Sequence, residues 1–555
     1  MPNGVTFSPP QPPAPLTNVL TDTHIFVGDA ANVPQDVALT LNATGGAFAL
    51  ANTGVLTMPN ADSVTRGLLT AADWITFNNK QNAIPDWTTG FGSGTQATST
   101  WTATNAAANV NAAIIPKGTG AIVAALPDGT AVGGNARGTN AVDLQRVRTL
   151  ATQVASGGSS GILSGESNRI SSTRTNSFCV IGGGQNNLIS QLYGATIAGG
   201  QSNTIGDNDG WQCTIGGGAS NTITGRLAAT IVGGNNNTAS NNFVTIGGRN
   251  NLASGDTSTL MGGQSNTASG AFSAIIGGQS NTASGSHSTA IGQGSTASGT
   301  NSFAGGGGTA SGASAFVFGS TSQGNAEASI AIGRNCTANN AGQRGMIAMG
   351  NTCSTTYEGG VALGANCGTS NFAAVALGQG NNATGLGTRA TGRESRAELQ
   401  GQISHAGGQF SAQGDAQSHE LIWRRAVTGT AITELFLDGA SAAAILPTTN
   451  SVWHGTIEIV AICTNAGGGT TIVGDVAAAS YLTTIKRIGA NTALVGGVQQ
   501  IGVTNADASM STSVFTIDAN NTNESLRIQF TAPATANATT QIRVVATFRG
   551  TQIKY

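Results

Sequence analysis

The chain has 555 residues, of which 81 are glycine, 39% are apolar and only 9% are charged. That charge content is far below the roughly one quarter of an ordinary globular enzyme, while the apolar share is too high for a disordered chain. A net charge of -2 and an isoelectric point near 6.2 leave no electrostatic footprint for nucleic acid or for an anionic membrane surface.

Residues 1–60 open on Pro9-Pro-Gln-Pro-Pro-Ala-Pro15, an extended stretch that cannot sit in a central strand. No charged leader followed by an apolar core precedes it, so a cleaved export signal is not expected. No apolar run along the chain reaches the length of a membrane-spanning helix, and membrane insertion is not expected either. Short alternating segments follow, such as Val37-Ala-Leu-Thr-Leu, with Asn and Gly at the turns. Residues 61–156 form a neck of thin β structure. Within it Thr70-Ala-Ala-Asp-Trp-Ile-Thr-Phe reads as a short helix, capped by Thr70 with Asp73 three residues on. Val142, Leu144, Val147, Leu150 and Val154 then make a loose stripe that fits a helix or an extended segment.

Residues 157–392 read as a repeated shaft, in which an apolar pair followed by glycine recurs from about Ile181 to Gly380. The first glycines are Gly182, Gly199, Gly216, Gly233, Gly247, Gly262, Gly277, Gly292, Gly305, Gly319, Gly333, Gly350, Gly364 and Gly378, spaced 13 to 17 residues apart. A period that short fits one turn of a β-solenoid. In Ala274-Ile-Ile-Gly-Gly-Gln-Ser-Asn-Thr-Ala-Ser-Gly the spacing predicts two strands, near 274–276 and 281–283, with Ile275 and Ala283 pointing the same way. Fourteen rungs at a strand spacing of about 4.8 Å make a rod of about 70 Å. Each rung supplies only two or three apolar side chains, which favours several parallel copies around a shared apolar axis.

Candidate chemistry along this rod is sparse. Cys336, Cys353 and Cys367 share one phase, so they should stack as a buried column of small thiols; a metal or redox role is disfavoured because no His or carboxylate shares the phase. Asp207-Asn-Asp-Gly210 lacks the further acidic ligands of a calcium loop. Gly305 to Gly308 is followed by no Lys-Ser or Lys-Thr and is not a phosphate loop. A glycan-cleaving site needs two carboxylates about 5 to 10 Å apart, whereas Asp207, Asp209, Asp256, Glu327 and Glu358 lie rungs apart, and sugar-gripping aromatic platforms are not expected. Catalytic residues, cofactor sites and metal ligands are therefore assigned to none.

Residues 393–414 read as a linker that concentrates charge, with Arg393, Glu394, Arg396 and Glu398. His405, Asp415, His419 and Glu420 are the nearest approach to a ligand cluster, and a solvated or interchain polar face is the favoured reading. Residues 415–555 alternate in strand fashion, as in Gly455-Thr-Ile-Glu-Ile-Val-Ala-Ile, and predict a β-sandwich. Trp453 is expected in its core, and loops 465–469, 491–497 and 504–512 are expected to carry variable contacts. No single receptor-binding residue is assigned.

Ile276-Gly-Gly-Gln-Ser-Asn-Thr-Ala-Ser-Gly and Val375-Ala-Leu-Gly-Gln-Gly-Asn-Asn-Ala resemble the head repeats of trimeric autotransporter adhesins. Leu126-Pro-Asp-Gly-Thr-Ala-Val-Gly-Gly-Asn-Ala-Arg-Gly-Thr-Asn-Ala-Val-Asp-Leu-Gln, Ser63-Val-Thr-Arg-Gly-Leu-Leu-Thr-Ala-Ala-Asp-Trp and Gly408-Gln-Phe-Ser-Ala-Gln-Gly-Asp-Ala-Gln resemble flanking segments of bacteriophage tail fibres. The resemblance implies an all-β fibrous homotrimer: a left-handed parallel β-roll shaft, a C-terminal sandwich that binds a host glycan or outer-membrane protein, and an N-terminal attachment to a tail or baseplate protein. It implies a virion structural protein, not an enzyme. A bacterial surface adhesin and a depolymerising tailspike are the alternatives; the first would need a membrane barrel, for which the last 70 residues lack the pattern.

Overall fold

A computed structural model of the protein describes short strands between residues 24 and 103, and residues 114–555 apart from 173–175, 191–192, 207–210, 226, 443 and 447–449. The helix expected at Thr70 and the turn Asp207-Asn-Asp-Gly210 lie outside the described residues. The chain divides into two compact units, Met1–Ile114 and Ile115–Tyr555. In the first, three antiparallel strand pairs are described: His24–Gly28 with Pro34–Ala38, Ala49–Leu50 with Leu56–Thr57, and Trp87–Phe91 with Ser99–Ala103.

The second unit is built on two parallel ladders. One runs through sixteen strands from Arg169–Ser171 to Arg396–Ala397. The other begins at Ile122–Val123, passes Val142–Asp143 and Gly161–Ile162, and climbs rung by rung to Ile403–Gly407. The solenoid therefore has more rungs than the refrain alone marks. It continues through Arg396–Ala397 and Ile403–Gly407, within the segment 393–414 read above as a charged linker. The apolar stripe from Val142 to Val154 is neither a helix nor one strand. Val142–Asp143 is its only strand and Val147 bridges Glu166; Val154 is buried, and Leu144, Val147 and Leu150 are exposed.

Each of the two strands of a rung sends one side chain inward, as the alternation at Ile275 and Ala283 predicts; both are fully buried. The first column reads Ile162, Ile181, Ile197, Ile215, Ile231, Ile246, Leu260 and Ile275, then turns to Ala290, Ala304, Val317 and Ala331. The facing column changes earlier, from Ile223 to Ala239. A buried Ile contributes about 2 kcal/mol more than an Ala through its three extra carbons. The core of the later rungs is accordingly thin.

A third buried column is polar. Asn187, Asn203, Asn221 and Asn237 stack so that each backbone N–H donates to the Oδ1 of the Asn one rung earlier, at 3.0 to 3.1 Å. The Nδ2 of Asn203 donates to the carbonyls of Gly199 (3.1 Å) and Gly218 (2.9 Å), satisfying groups that water cannot reach. Cys336, Cys353 and Cys367 occupy this same column. Each thiol donates to the glycine carbonyl of the following rung at 3.2 Å, standing in for an Asn amide.

The column ends on a glutamine at each side. Gln145 accepts from the Asn168 N–H at 3.0 Å and donates to the Asn168 carbonyl at 2.8 Å. Gln417 does the same for Arg396, at 2.9 and 2.8 Å. At the far end the Gln417 amide stands in for the backbone of a next rung, while Gln145 does so at one point of an earlier rung whose backbone pairs at Val147–Glu166 and Ala155–Ile170. Beneath Gln145, Asp143 is fully buried between Arg137 (2.8 Å) and Arg148 (3.2 Å), which also donates to the Gln145 carbonyl at 2.7 Å.

Beyond Ile403–Gly407 the sheet does not break. Ala416–Thr428 pairs antiparallel to it, and the sheet goes on through Gln541–Lys554, Ser451–Asn465, Val476–Ile488 and the edge strand Gln499–Ala506. A second antiparallel sheet is formed by Thr433–Glu434, Ala444–Ile445, Val514–Asn520 and Ser525–Thr531. Leu421, Trp423, Ile457 and Phe548 of the first sheet share one core with Leu435, Ile517, Ile528 and Phe530 of the second. Trp453 is fully buried, as expected from its alternating strand.

Candidate receptor-contacting surface

The long strands of the first C-terminal sheet place one set of loops at the end away from the residues paired with the last rung. Two of the three loops singled out from the sequence, 465–469 and 504–512, lie there; residues 532–540 bond the first and residues 472–476 the second. Gly467 accepts from Asn537 Nδ2 at 2.7 Å, and Ala466 accepts from Thr540 Oγ1 at 2.9 Å. Thr470 N–H donates to Thr535 at 3.0 Å, while Ser509 Oγ accepts from Ile472 N–H at 3.1 Å and donates to Asp475 at 2.6 Å. Asp507 in turn accepts from the Val476 N–H at 2.9 Å. The third loop, 491–497, lies at the opposite end of its strand, where Asn491 pairs with Ile488. Sequence reasoning missed residues 532–540; the signal was the Asn537-Ala-Thr-Thr540 turn, rich in residues that hydrogen-bond backbone.

This cluster exposes hydroxyls and amides of Thr470, Thr512 and Thr539 beside the apolar Ile472 and Val473, each 59% exposed. Its two carboxylates, Asp475 and Asp507, are each engaged in holding a loop. The arrangement suits a rigid, mixed polar and apolar contact surface. Nearby, the edge strand Gln499–Ala506 is exposed at every residue and overhangs a groove of about 480 Å³ lined by Glu458, Val460, Ala478 and Val503.

A smaller cavity of about 250 Å³ lies where the last rung meets the sandwich, floored by Trp453 and lined by Arg396, Glu398 and Lys554. Arg396 pairs with Glu398 at 2.7 Å and Lys554 approaches the same carboxylate at 3.8 Å. Burial pushes the Lys554 ammonium below its ordinary pKa.

The four residues at the neck do not form a ligand cluster. His405 contacts Thr391 at 3.1 Å and Glu420 bonds Arg549 at 3.0 Å. Asp415 gathers the N–H groups of Phe410, Ser411 and Ala412; burial alone would raise its pKa, and these amides outweigh it and lower it. His419 is buried against Trp453 and Phe548, with ring centroids at 4.6 and 5.2 Å. Among the described residues no group of three or more potential metal ligands converges. Two aromatic stacks lie on the shaft: Tyr193 stacks on Trp211 at 5.2 Å, and Phe272 on His287 at 4.8 Å.

Burial pushes the His419 pKa from 6.5 down to about 3. The unfolded chain therefore binds the proton more readily, and stability falls as pH drops from about 6.5 toward about 3, by up to about 1.4 kcal/mol per pH unit. Above pH 6.5 this contribution is complete. Urea titrations between about pH 6 and pH 4 should show a shallower pH slope for His419→Leu than for the parent protein. Equal slopes would refute the assignment.

No family model and no curated protein matches the chain. Among solved structures, it is similar to the tailspike protein of Acinetobacter phage vB_ApiP_P1, with 11% identity over 76% of this chain and 79% of that one and a TM-score of 0.17. It is also similar to the tailspike of Acinetobacter baumannii phage AM24, with 8% identity, 75% and 78% coverage and a TM-score of 0.14.

Proposed function

We propose that the chain is a structural tail fibre of a phage or phage-like particle that attaches the particle to its host. In this reading three copies form a fibre whose shaft winds as a left-handed parallel β-roll, like the head repeats it resembles. The N-terminal region joins a tail or baseplate protein, and the C-terminal sandwich contacts a host glycan or an outer-membrane protein. The protein acts by adhesion and not by catalysis. Three tip sites per fibre, and several fibres per particle, raise avidity without strong single sites.

The observation that carries this reading is the unbroken sheet from capped solenoid to sandwich. It makes a stiff spacer that presents a hydrogen-bonded loop surface at one end, and a pre-organised surface loses little entropy on binding.

Fluorescently labelled protein, incubated with a panel of intact bacteria, should be retained on a subset of strains. Thr470→Glu/Ile472→Glu/Val473→Glu should lower retention about tenfold or more while leaving the circular dichroism spectrum unchanged. Release of reducing sugar from the bound cells would overturn the non-catalytic reading. Retention on no strain, or retention unaffected by the triple change, would overturn the assignment of the tip.

A further inference from the structure

The cavity of about 250 Å³ between the last rung and the sandwich is unbalanced in its hydrogen bonds. The side-chain acceptors on its walls are engaged. The Glu398 carboxylate takes Arg396 Nη2 at 2.7 Å and faces Lys554 Nζ at 3.8 Å. Gln402 Oε1 accepts from the N–H groups of Glu398 (2.8 Å) and Leu399 (3.0 Å). Gln417 Oε1 accepts from the Arg396 N–H at 2.9 Å, and Gln552 Oε1 from the Trp453 indole at 3.0 Å.

Three donors on the same walls have no acceptor among the described residues. Arg396 Nε is buried and unpaired. The Lys554 side chain is only 12% exposed, and the Glu398 oxygen at 3.8 Å is beyond hydrogen-bond reach of its ammonium. Gln402 has spent its carbonyl oxygen twice and keeps its amide Nε2 free. Arg396 and Lys554 share one carboxylate, which leaves one positive charge in excess. The next carboxylate, Asp415, already holds the N–H groups of Phe410, Ser411 and Ala412. Donors and charge shut away like this are costly unless something answers them. What answers them must bring acceptors and negative charge.

We infer that this cavity binds a small organic carboxylate of the kind an acidic sugar carries, with Arg396, Lys554 and Gln402 as its donors. Leu399, Leu446 and Trp453 complete the lining, so the ligand has a carbon skeleton to bury beside its charge. The volume lies below that of sites for drug-sized molecules and suits a single small one. The backbone is fixed before anything binds. Gln417 brackets Arg396 at its N–H and its carbonyl, and the Lys554 N–H donates to the Asp415 carbonyl at 2.9 Å. Little ordering is then left to oppose binding. The site lies at the end of the sandwich away from the tip loops, and it does not rest on the fibre reading.

The test is isothermal titration calorimetry of the full chain with sodium D-glucuronate, with D-glucose as the neutral control. Glucuronate should bind and glucose should not. Lys554→Met should weaken glucuronate binding about tenfold or more, because a charge-assisted hydrogen bond is lost. Gln402→Glu keeps an oxygen for the N–H groups of Glu398 and Leu399 but exchanges the spare donor for a negative charge, and should abolish binding. If Lys554→Met alters the circular dichroism spectrum, Gln402→Glu alone decides. A linear oligoglucuronate that binds as tightly as the monomer marks the ligand as a residue within an acidic glycan. Binding of the monomer without the oligomer marks it as a free acid, and either result supports the site. Binding of glucose as tight as that of glucuronate, no binding of glucuronate in either form, or affinity unchanged in Gln402→Glu would overturn it. Binding of inorganic phosphate in place of glucuronate would overturn the carboxylate assignment.

Discussion

Gly364→Ala is expected to destabilise the shaft by at least about 3 kcal/mol, although it adds a single methyl group. Gly364 has φ +128°, and a Cβ there would meet the Gly378 carbonyl oxygen at 1.8 Å. That neighbour is backbone of the next rung, so no side chain can swing aside. The ladder spacing must open, and the hydrogen bonds of two rungs weaken together. Gly294→Ala is the matched control. Its φ is +68°, but no atom lies within 4 Å of the added carbon, so only the left-handed backbone cost of about 1 kcal/mol remains. Urea denaturation followed by circular dichroism distinguishes the two. Equal losses would mean that close approach between rungs is not what selects glycine at these positions.

Trp453→Ala should cost about 3 to 5 kcal/mol, concentrated in the sandwich. The side chain is fully buried, and its indole N–H donates to Gln552 Oε1 at 3.0 Å. Gln552 donates onward to the Gly414 carbonyl at 2.7 Å, tying the last strand to the segment that leaves the shaft. Removing the indole therefore opens a cavity beside His419 and Phe548 and strands the Gln552 carbonyl oxygen out of reach of water. Trp453→Phe retains most of the packing and loses the hydrogen bond, and should fall well short of the full cost. Limited proteolysis should cut the sandwich of the alanine variant first and spare the shaft. Similar resistance in the alanine and phenylalanine variants would show that packing at this joint matters little.

The rungs were legible in the sequence because one buried residue and one tight corner repeat at a short period. Ile275 and Ala283 point inward as alternation requires, and the thiols of Cys336, Cys353 and Cys367 stack as their common phase requires. What phase concealed was that these thiols continue the Asn column. Asn221 follows its refrain glycine by five residues, Asn203 by four and Cys336 by three, so the column slides against the marker. The last rungs were hidden for a related reason. In the last rung Ser404 takes the buried place of Ala390 and His405 the outward place of Thr391, so no apolar pair marks it. The tip loops could be located but not paired. Whether 465–469 meets 504–512 depends on strand order, and alternation within a strand carries no record of its neighbour.

The glutamines at the two ends of the Asn column have a further consequence. An open parallel ladder offers its last strand to any extended chain, and growth would have no natural limit. Gln417 occupies such bonds at one end, and Gln145 does so at the other beside the Ala155–Ile170 bridge; both fall within the segments that flank the repeats. The interior is then a repeating unit between two fixed stops. Whole rungs could be gained or lost by recombination between similar repeats, altering reach in steps of about 5 Å without rebuilding either end. On this view the flanking segments hold the terminations, and the number of rungs between them is free to vary.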